Sequence, residues 1–395
     1  MQSGFRPKHS TTTALLKITE DISAALDTGQ VAVASLLDFR KAFDVVSHNR
    51  LLLKLRSFCM ISGRGCNFIK SYLSGRTQKV RVGSEHSNTI SVTSGTPQGG
   101  ILSALLFCLF INDLPSQLDA SVHLYADDST IYCLGPATDL NRVTDKMNLE
   151  LAKVDTWAQA NDVLINPSKS QVMIFSKKKV LNPPQVFIGS DVIPSASEAK
   201  LLGFMLSHDL SLDKQVIKMC GEIQDILHML YKSQSFTPVS VRLLLVKALI
   251  VPKFLYCSEI YFGCPRAMWD KLNLTFNSCL RYIFNVRKFT SVATLSDSIF
   301  GCPLENYLQF RACLFLFNLL RTSEPNYLHC NINFPRHRRN GLLNLPVIRN
   351  SSQRNASYFI LGVRLWNHLD SDTRTTSSLT QFKQRCLSYL TSKKM

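Results

Sequence analysis

Two adjacent carboxylates stand in the middle of a strand-forming stretch, in the segment HLYADDSTIY at 123–132. Like charges packed together repel each other, and each carboxylate loses hydration if it is buried. The flanking residues read as the two strands of a hairpin, so Asp127 and Asp128 are predicted to form its tip. An Asp-rich turn is often purely structural, because Asp bonds to its own backbone there, so the pair alone does not establish a catalytic site.

A third carboxylate, Asp38, follows a nearly continuous apolar run, VAVASLL at 31–37, which suits a buried central strand. An acid at the end of a central strand is well placed to meet the tip of a hairpin on the neighbouring strand. Three clustered carboxylates are tolerated when divalent cations neutralise them, and two Mg²⁺ ions are the usual device for nucleotidyl transfer. The sequence therefore predicts a metal site built from Asp38, Asp127 and Asp128.

The chain is strongly basic, with 45 Lys and Arg against 28 Asp and Glu and a formal net charge of +17 over 395 residues. Residues 330–395 contain eleven of the basic residues and only two acidic ones. This distribution favours a polyanionic partner, nucleic acid first and an anionic membrane second. A membrane role has no other support, because the longest apolar run, at 101–111, is too short to span a bilayer. The scattered cysteines predict a reduced, intracellular protein without structural metal.

Hydrophobic periodicity divides the chain into a mixed half and a helical half, so the predicted fold class is α+β. In the first half we expect helices at 10–28, 47–58, 64–74, 101–112 and 139–160, a strand at 31–39, hairpins at 78–92 and 122–133, and strand pairs around 163–175 and 185–206. From residue 211 onward the pattern predicts helices, including 238–262, 266–285 and 304–321.

Three segments, in this order, resemble motifs of reverse transcriptases: LLDFRKAFDVVSH at 36–48, SGTPQGGILSALLFCLFINDL at 94–114 and YADD at 125–128. The resemblance continues through NPSKSQVMIF at 166–175 and LLGFML at 201–206. Within this family, QSGFR at 2–6, KAFDVVSH at 41–48 and TPQGGILS at 96–103 are similar to the non-LTR group of LINE-type retrotransposons, with jockey- and CR1-like elements nearest. The resemblance implies a right-hand polymerase with residual fingers at 1–30, a palm at 31–206, a helical thumb at 207–300 and a helical, basic region at 301–395.

The resemblance also implies roles for individual residues. Asp38 and Asp127 hold two Mg²⁺ ions, for which Mn²⁺ can substitute, and Asp128 supports the cluster. Phe43 lies under the sugar of the incoming nucleotide and excludes a 2′-hydroxyl. Lys169 is a catalytic acid or cation near the pyrophosphate leaving group, although a solvated surface lysine is an equally good interpretation.

The remaining candidates bind substrate or nucleic acid. Those assigned to the nucleotide and its surroundings are Gln98, Gly99, Arg6 and Tyr125. Those assigned to the nucleic-acid backbone are Gly203, Arg76, Lys79, Arg336, Arg338 and Arg339. For the basic residues, a solvated surface is the competing interpretation. Asp44 is interpreted as a carboxylate at a helix start and is left out of the metal set.

The implied function is RNA-directed DNA polymerase activity inside the cell, in nucleus and cytoplasm, with an RNA template, a DNA primer and deoxynucleoside triphosphates as partners. The fingers segment that normally precedes QSGFR and the endonuclease of this group are not in the sequence. We therefore expect a truncated reading frame whose isolated chain has weak or no activity. The alternative is an inactive remnant that still binds RNA or RNA–DNA duplex through its basic surface.

Overall fold

A computed structural model describes residues 1–178, 180–335, 340–349 and 352–392. The chain divides into two compact units, the first comprising Met1–Ala14 and Gly29–Ser197 and the second comprising Leu15–Thr28 and Glu198–Met395. The first helix, α1 (Thr11–Asp27), begins in the first unit and continues in the second. Its buried face follows helical spacing, as the sequence predicts, with Leu15, Ile18 and Ile22 almost fully shielded from solvent.

The first unit is built around an antiparallel sheet of four strands, in the spatial order Ser121–Tyr125, Asp128–Pro136, Gln30–Leu37 and Gln171–Phe175. Its elements after α1 are β1 (Gln30–Leu37), α2 (His48–Ser57), α3 (Gly63–Leu73), β2 (Thr77–Gln78), β3 (Arg81–Val82), β4 (Glu85–His86), β5 (Ile90–Ser91), α4 (Ser103–Ile111), β6 (Ser121–Tyr125), β7 (Asp128–Pro136), α5 (Leu140–Ala160), β8 (Gln171–Phe175), β9 (Val186–Ile188) and β10 (Asp191–Ile193). The continuous apolar run in β1 is explained by its central position, with hydrogen-bonded neighbours on both sides.

One face of this sheet packs against α5 to form the core of the first unit. Val31 and Val33 of β1 share a buried cluster with Met147, Leu151 and Val154 of α5. The residues of α5 recur at intervals of three and four, which places them on one side of the helix. Burial of this face holds β1 rigidly, so the residue that follows the strand has a fixed position.

The apolar run at 101–111 forms α4 within the same core. Leu106, Phe107 and Phe110 are almost completely buried there. This burial explains the hydrophobicity of the segment without a bilayer. In the portions of the chain that the structure describes, no helix combines the length and the apolar character needed to cross a membrane.

The second unit consists of a hairpin followed by helices. Its elements besides α1 are β11 (Glu198–Leu201), β12 (Phe204–Ser207), α6 (Asp213–Tyr231), α7 (Val239–Leu249), α8 (Val251–Leu255), α9 (Ser258–Tyr261), α10 (Arg266–Phe284), α11 (Leu304–Thr322), α12 (Asn326–His329), α13 (Ser352–Asn355), α14 (Tyr358–His368), α15 (Ser371–Thr375) and α16 (Leu379–Ser392). The chain as a whole therefore combines antiparallel sheets with helices, as the sequence predicts.

Two of the predicted elements are wrong in extent. The expected strand pair around 163–175 contains only β8, because Pro167 lacks an N–H and the chain instead turns, with Ser170 N donating to the Asn166 carbonyl at 2.9 Å. The expected helix at 238–262 is three helices. Pro252 interrupts the hydrogen-bond ladder between α7 and α8, and Cys257 takes a left-handed backbone angle, φ 51°, before α9.

Candidate active site in the first unit

The two Asp residues lie at the turn between β6 and β7. Tyr125 pairs with Asp128 across the hairpin, so the two central residues of the turn are Ala126 and Asp127. The prediction that Asp127 and Asp128 together form the tip is therefore wrong by one residue, since Asp128 is the first residue of β7. A two-residue turn demands unusual backbone angles, and Ala126 supplies one of them with a φ of 57°.

Asp38 lies beside this turn because of strand register. The last residue of β1, Leu37, is paired with Ser129 of the antiparallel strand β7, so Asp38, which follows Leu37, lies beside Asp128, which precedes Ser129. Asp38 and Asp127 are half-buried, and Asp128 is exposed. The structure thus brings the strand-end acid and the hairpin turn together.

The three carboxylates influence one another electrostatically. The pKa of Asp128 is raised from its ordinary value, first because partial burial strips water from the carboxylate and then because the charges of Asp127 and Asp38 lie close. Since Asp128 is exposed by surface area, the desolvation is incomplete and the two like charges are the specific part of this effect. All three contributions disfavour the charged form of Asp128.

The arrangement suits a divalent cation chemically, although it is not a closed cage. Among the described residues, no group of three or more His, Cys, Asp or Glu side chains is placed to hold a metal ion as it stands. The donors are nonetheless carboxylate oxygens, the ligands that Mg²⁺ prefers, and their mutual repulsion is what a bound cation would relieve. The role of Asp38, Asp127 and Asp128 as metal ligands stays a prediction.

The loop that contains Lys169 is fastened to the backbone of Asp38. Ser170 Oγ accepts a hydrogen bond from Asp38 N at 3.1 Å, and Asn166 N donates to the Asp38 carbonyl at 2.8 Å. Lys169 lies between these two anchors and is exposed. Its flexible cationic side chain therefore starts from a turn that is fixed next to Asp38, which suits either of the interpretations drawn from the sequence.

Phe43 lies on the segment after Asp38 and is half-buried. Its ring packs against that of Phe107, with 4.4 Å between the ring centroids. Its carbonyl accepts a hydrogen bond from Thr96 N at 2.8 Å, which joins this segment to the loop that contains Gln98. The two segments are in close contact at Gly95, since a Cβ there would stand 2.7 Å from the Asp44 carbonyl oxygen. One side of the Phe43 ring is thus supported by the core.

Gln98 and Asp44 form a pair that the sequence did not predict. Gln98 Nε2 donates to Asp44 Oδ1 at 2.8 Å, and both side chains are exposed. Asp44, interpreted from the sequence as a helix-start residue, instead orients the amide of Gln98. Gly99, next to it, has a φ of 80° and open space where a side chain would point, so a ligand can approach its backbone closely.

A cleft of about 720 Å³ opens beside this pair. Gln98 and Asp44 line it together with two cations, Arg76 and Lys41. Arg76 is held by a hydrogen bond from its Nε to the Tyr72 carbonyl at 2.7 Å, and its guanidinium stacks over the Tyr72 ring. Lys41 was missed from the sequence because only the fold of the loops brings it to the same cleft as Gln98. Lys79 lies further along the exposed hairpin.

The other predicted positions are distributed elsewhere. Arg6 is exposed and its Nη1 donates to the Gln2 carbonyl at 3.1 Å. Tyr125 is half-buried at the end of β6. Gly203, in the second unit, has a φ of 84° in the turn between β11 and β12, where the Tyr256 hydroxyl donates to the Leu202 carbonyl. Arg336, Arg338 and Arg339 lie outside the described residues.

Comparison with known proteins identifies the family. The family model for reverse transcriptase (RNA-dependent DNA polymerase) matches residues 1–206. The chain is 29% identical over 316 residues to a probable RNA-directed DNA polymerase from transposon X-element of Drosophila melanogaster, an alignment that covers 75% of this chain and 34% of that protein.

Two further relatives are of the same kind. The RNA-directed DNA polymerase from mobile element jockey of Drosophila funebris is 25% identical over 293 residues, which are 71% of this chain and 31% of that protein. A probable RNA-directed DNA polymerase from transposon BS of Drosophila melanogaster is 26% identical over 307 residues, which are 74% and 33% of the respective chains. The chain thus spans about a third of the length of these relatives.

The matched region, residues 1–206, contains the four-stranded sheet and the acidic turn. The chain belongs to the reverse transcriptase family. The relatives confirm the resemblance to LINE-type, non-LTR elements that the sequence motifs predict.

Proposed function

We propose that this chain is the RNA-directed DNA polymerase portion of a mobile element, which extends a DNA primer on an RNA template with deoxynucleoside triphosphates. The observation that carries the proposal is the register of β1 and β7, which sets Asp38 beside the turn containing Asp127 and Asp128. The formal net charge of +17 supports binding to a nucleic acid, and the action is expected inside the cell, where the template and the target DNA are.

In this proposal Asp38 and Asp127 hold two Mg²⁺ ions, or Mn²⁺ in their place, and Asp128 supports them. When bound, the ions lower the pKa of the primer 3′-hydroxyl and neutralise the triphosphate. Lys169 offers a proton or a positive charge to the pyrophosphate. Tyr125 and Arg6 lie near the nucleotide, and Gln98 and Gly99 touch its base or the template.

The larger architecture is proposed in the same terms. Residues 31–206 are the palm, 207–300 the thumb and 301–395 a basic C-terminal region, with a remnant of the fingers at 1–30. Gly203 offers bare backbone to the primer end, which is supported by its positive φ of 84°. Arg76 and Lys79 contact phosphates, and the cleft shared by Arg76 and Gln98 supports this assignment for Arg76.

Primer extension tests the proposal directly. The full chain is incubated with oligo(dT) annealed to poly(rA), dTTP and Mg²⁺, then with Mn²⁺, and compared with Asp127→Ala. We expect weak extension by the unmodified chain and none by the variant. Extension that survives Asp127→Ala would overturn the assignment of the site. Binding of the duplex without extension would favour the inactive remnant instead.

A ribonucleotide assay tests the role of Phe43. Replacing Phe43 by valine removes most of the ring, so an incoming 2′-hydroxyl no longer meets it. We expect the ratio of ribonucleotide to deoxynucleotide incorporation to rise about 10- to 100-fold. Phe107→Leu is the matched control, because it removes the packing partner of the ring but leaves the ring itself. Equal discrimination in Phe43→Val and the unmodified chain would exclude Phe43 as the selector.

A further inference from the structure

The side chain of Gln2 is buried against the acidic turn and spans two parts of the chain. Its Oε1 accepts hydrogen bonds from Ala126 N at 3.0 Å and from Gly4 N at 2.7 Å. Its Nε2 points toward the Ala126 carbonyl at 3.5 Å. Only 4% of Gln2 is exposed, so water does not substitute for these contacts. Ala126 directly precedes Asp127, so the peptide groups of Ala126 determine the position of the Asp127 backbone.

The backbone around Gln2 runs along β6 like an additional parallel strand. Ser3 N donates to the Leu124 carbonyl at 2.8 Å, and Leu124 N donates to the Met1 carbonyl at 2.7 Å. Ser3 Oγ lies 2.9 Å from His123 Nε2, a further contact on the same strand. These backbone hydrogen bonds alone therefore fix Gln2 beside the turn, independently of its side chain.

Gly4 closes the contact from the other side. A Cβ at this position would stand 2.4 Å from Ala126 N, closer than any real contact, so only glycine lets the two backbones meet. Ala126 itself has a φ of 57°, which is unfavourable for a residue with a side chain. A strained turn keeps its shape only when its surroundings over-determine it, and the Gln2 amide and the Gly4 backbone do so here.

We propose that Gln2 is a positioning residue for Asp127: its amide holds the strained Ala126–Asp127 turn at the spacing from Asp38 that a shared divalent cation requires. This inference rests on the proposed function, since it assigns Asp127 to the metal site. Gln2 itself does not touch the metal or the substrate, and it acts through the two backbone groups of Ala126.

The chemistry of the side chain makes the inference specific. An amide of this length accepts from two N–H groups and offers its own N–H to a carbonyl. Leucine fills the volume but provides no hydrogen bond, and asparagine keeps the amide but is one methylene too short to reach. Glutamate accepts from both N–H groups, lacks the donor and adds a negative charge. The hold on the turn should therefore decrease in the order Gln2, Gln2→Glu, Gln2→Asn and Gln2→Leu.

Metal binding measured without catalysis is the main readout. Mn²⁺ binding to the full chain is followed by electron paramagnetic resonance in the absence of nucleotide, and the Mg²⁺ concentration that gives half-maximal primer extension is measured separately. We expect Gln2→Leu and Gln2→Asn to weaken Mn²⁺ binding about tenfold and to raise the required Mg²⁺ concentration by a similar factor. Gln2→Glu should bind Mn²⁺ more tightly than Gln2→Leu and Gln2→Asn and should need less Mg²⁺ for half-maximal extension than they do. The matched control is Gln159→Leu, an exposed glutamine of the same unit on α5.

The outcomes separate this inference from the proposed function. A purely structural role for Gln2 would lower the unfolding midpoint and leave the Mn²⁺ affinity of the folded protein unchanged, and that result would overturn the inference. If Gln2→Leu does not fold, Gln2→Asn, which keeps a polar side chain in the buried site, decides. If Asp127→Ala binds Mn²⁺ as well as the unmodified chain, the metal site itself is wrong. If Asp127→Ala loses Mn²⁺ binding while Gln2→Leu and Gln2→Asn bind Mn²⁺ as well as the unmodified chain, the proposed function stands and the role of Gln2 is overturned.

Discussion

Replacing Asp38 by asparagine should reduce primer extension on the order of 10³-fold or more while leaving the fold intact. The side chain is half-buried at the end of a strand whose core is formed by other residues, so the amide fits the same space. What the substitution removes is a negative charge beside the turn of Asp127 and Asp128. A hard divalent cation binds a neutral amide oxygen far more weakly than a carboxylate.

The three carboxylates should not be equivalent. Asp127→Asn is expected to match Asp38→Asn, and Asp128→Asn should cost less activity, because Asp128 is the exposed member and only supports the other two. Asp145→Asn, an exposed carboxylate on α5 in the same unit, is the control and should retain full activity. Initial rates of dTTP incorporation at saturating Mg²⁺ give the ranking. If Asp128→Asn were the most damaging of the three, the assignment of the principal ligands would have to be revised.

Local patterns predicted most of the elements because each pattern coincides with a buried surface. β1 could be recognised from its apolar run, because consecutive residues of this central strand are buried. α1 and α5 could be recognised from their helical spacing, because each buries one face. The segments at 163–175 and 238–262 were assigned wrongly because proline removes a backbone donor at Pro167 and Pro252. The position of a proline was visible in the sequence, but its consequence depends on which carbonyl would have accepted the missing bond.

The sequence predicted those residues of the site that lie in recognisable motifs, but not the polar contacts between distant loops. Asp38 was expected to meet the acidic hairpin, and strand register places it there. The bond between Gln98 and Asp44 joins two loops that are 54 residues apart, and no periodicity encodes such a contact. The same is true of Gln2, which reaches Ala126 over 124 residues. Long-range polar contacts depend on how loops are folded, which a local pattern does not contain.

Replacing Arg354 by leucine should destabilise the second unit by about 3–5 kcal/mol. Arg354 Nη1 donates to Glu20 Oε2 at 2.6 Å and to Ser23 Oγ at 3.2 Å, and both members of the ion pair are buried. Glu20 Oε1 also accepts from Phe359 N at 3.2 Å, so the pair ties α1 to the start of α14. Without Arg354, an ionised Glu20 has no guanidinium beside it in an apolar interior, so the folded variant must either carry an unbalanced charge or bind a proton.

Urea denaturation followed by circular dichroism measures the effect, and the midpoint should fall by roughly 1–2 M. Arg364→Leu is the control on the same segment, because Arg364 is half-buried and its Nη2 donates to a neutral partner, Asn355 Oδ1, at 3.2 Å. Its cost should stay near 1 kcal/mol. The double variant Glu20→Gln with Arg354→Leu removes both charges and should recover much of the loss. A double variant as unstable as Arg354→Leu would mean that the packing of the arginine stem matters more than its charge.

The pH dependence of Arg354→Leu distinguishes an uncompensated charge from lost packing. Burial raises the pKa of Glu20 above its ordinary 4.5, and this effect outweighs the opposing influences, of which the charge of Arg354 is the largest. Removing that charge raises the pKa of Glu20 further, so the folded variant holds a proton that the unfolded chain releases. A group whose pKa is higher in the folded state contributes stability below its unfolded pKa and loses it as the pH rises through the folded pKa. The deficit of Arg354→Leu relative to the unmodified chain should therefore be small near pH 4.5 and grow toward pH 7.5. A deficit that is the same at both pH values would indicate lost packing, because the packing of an arginine stem does not titrate in this range.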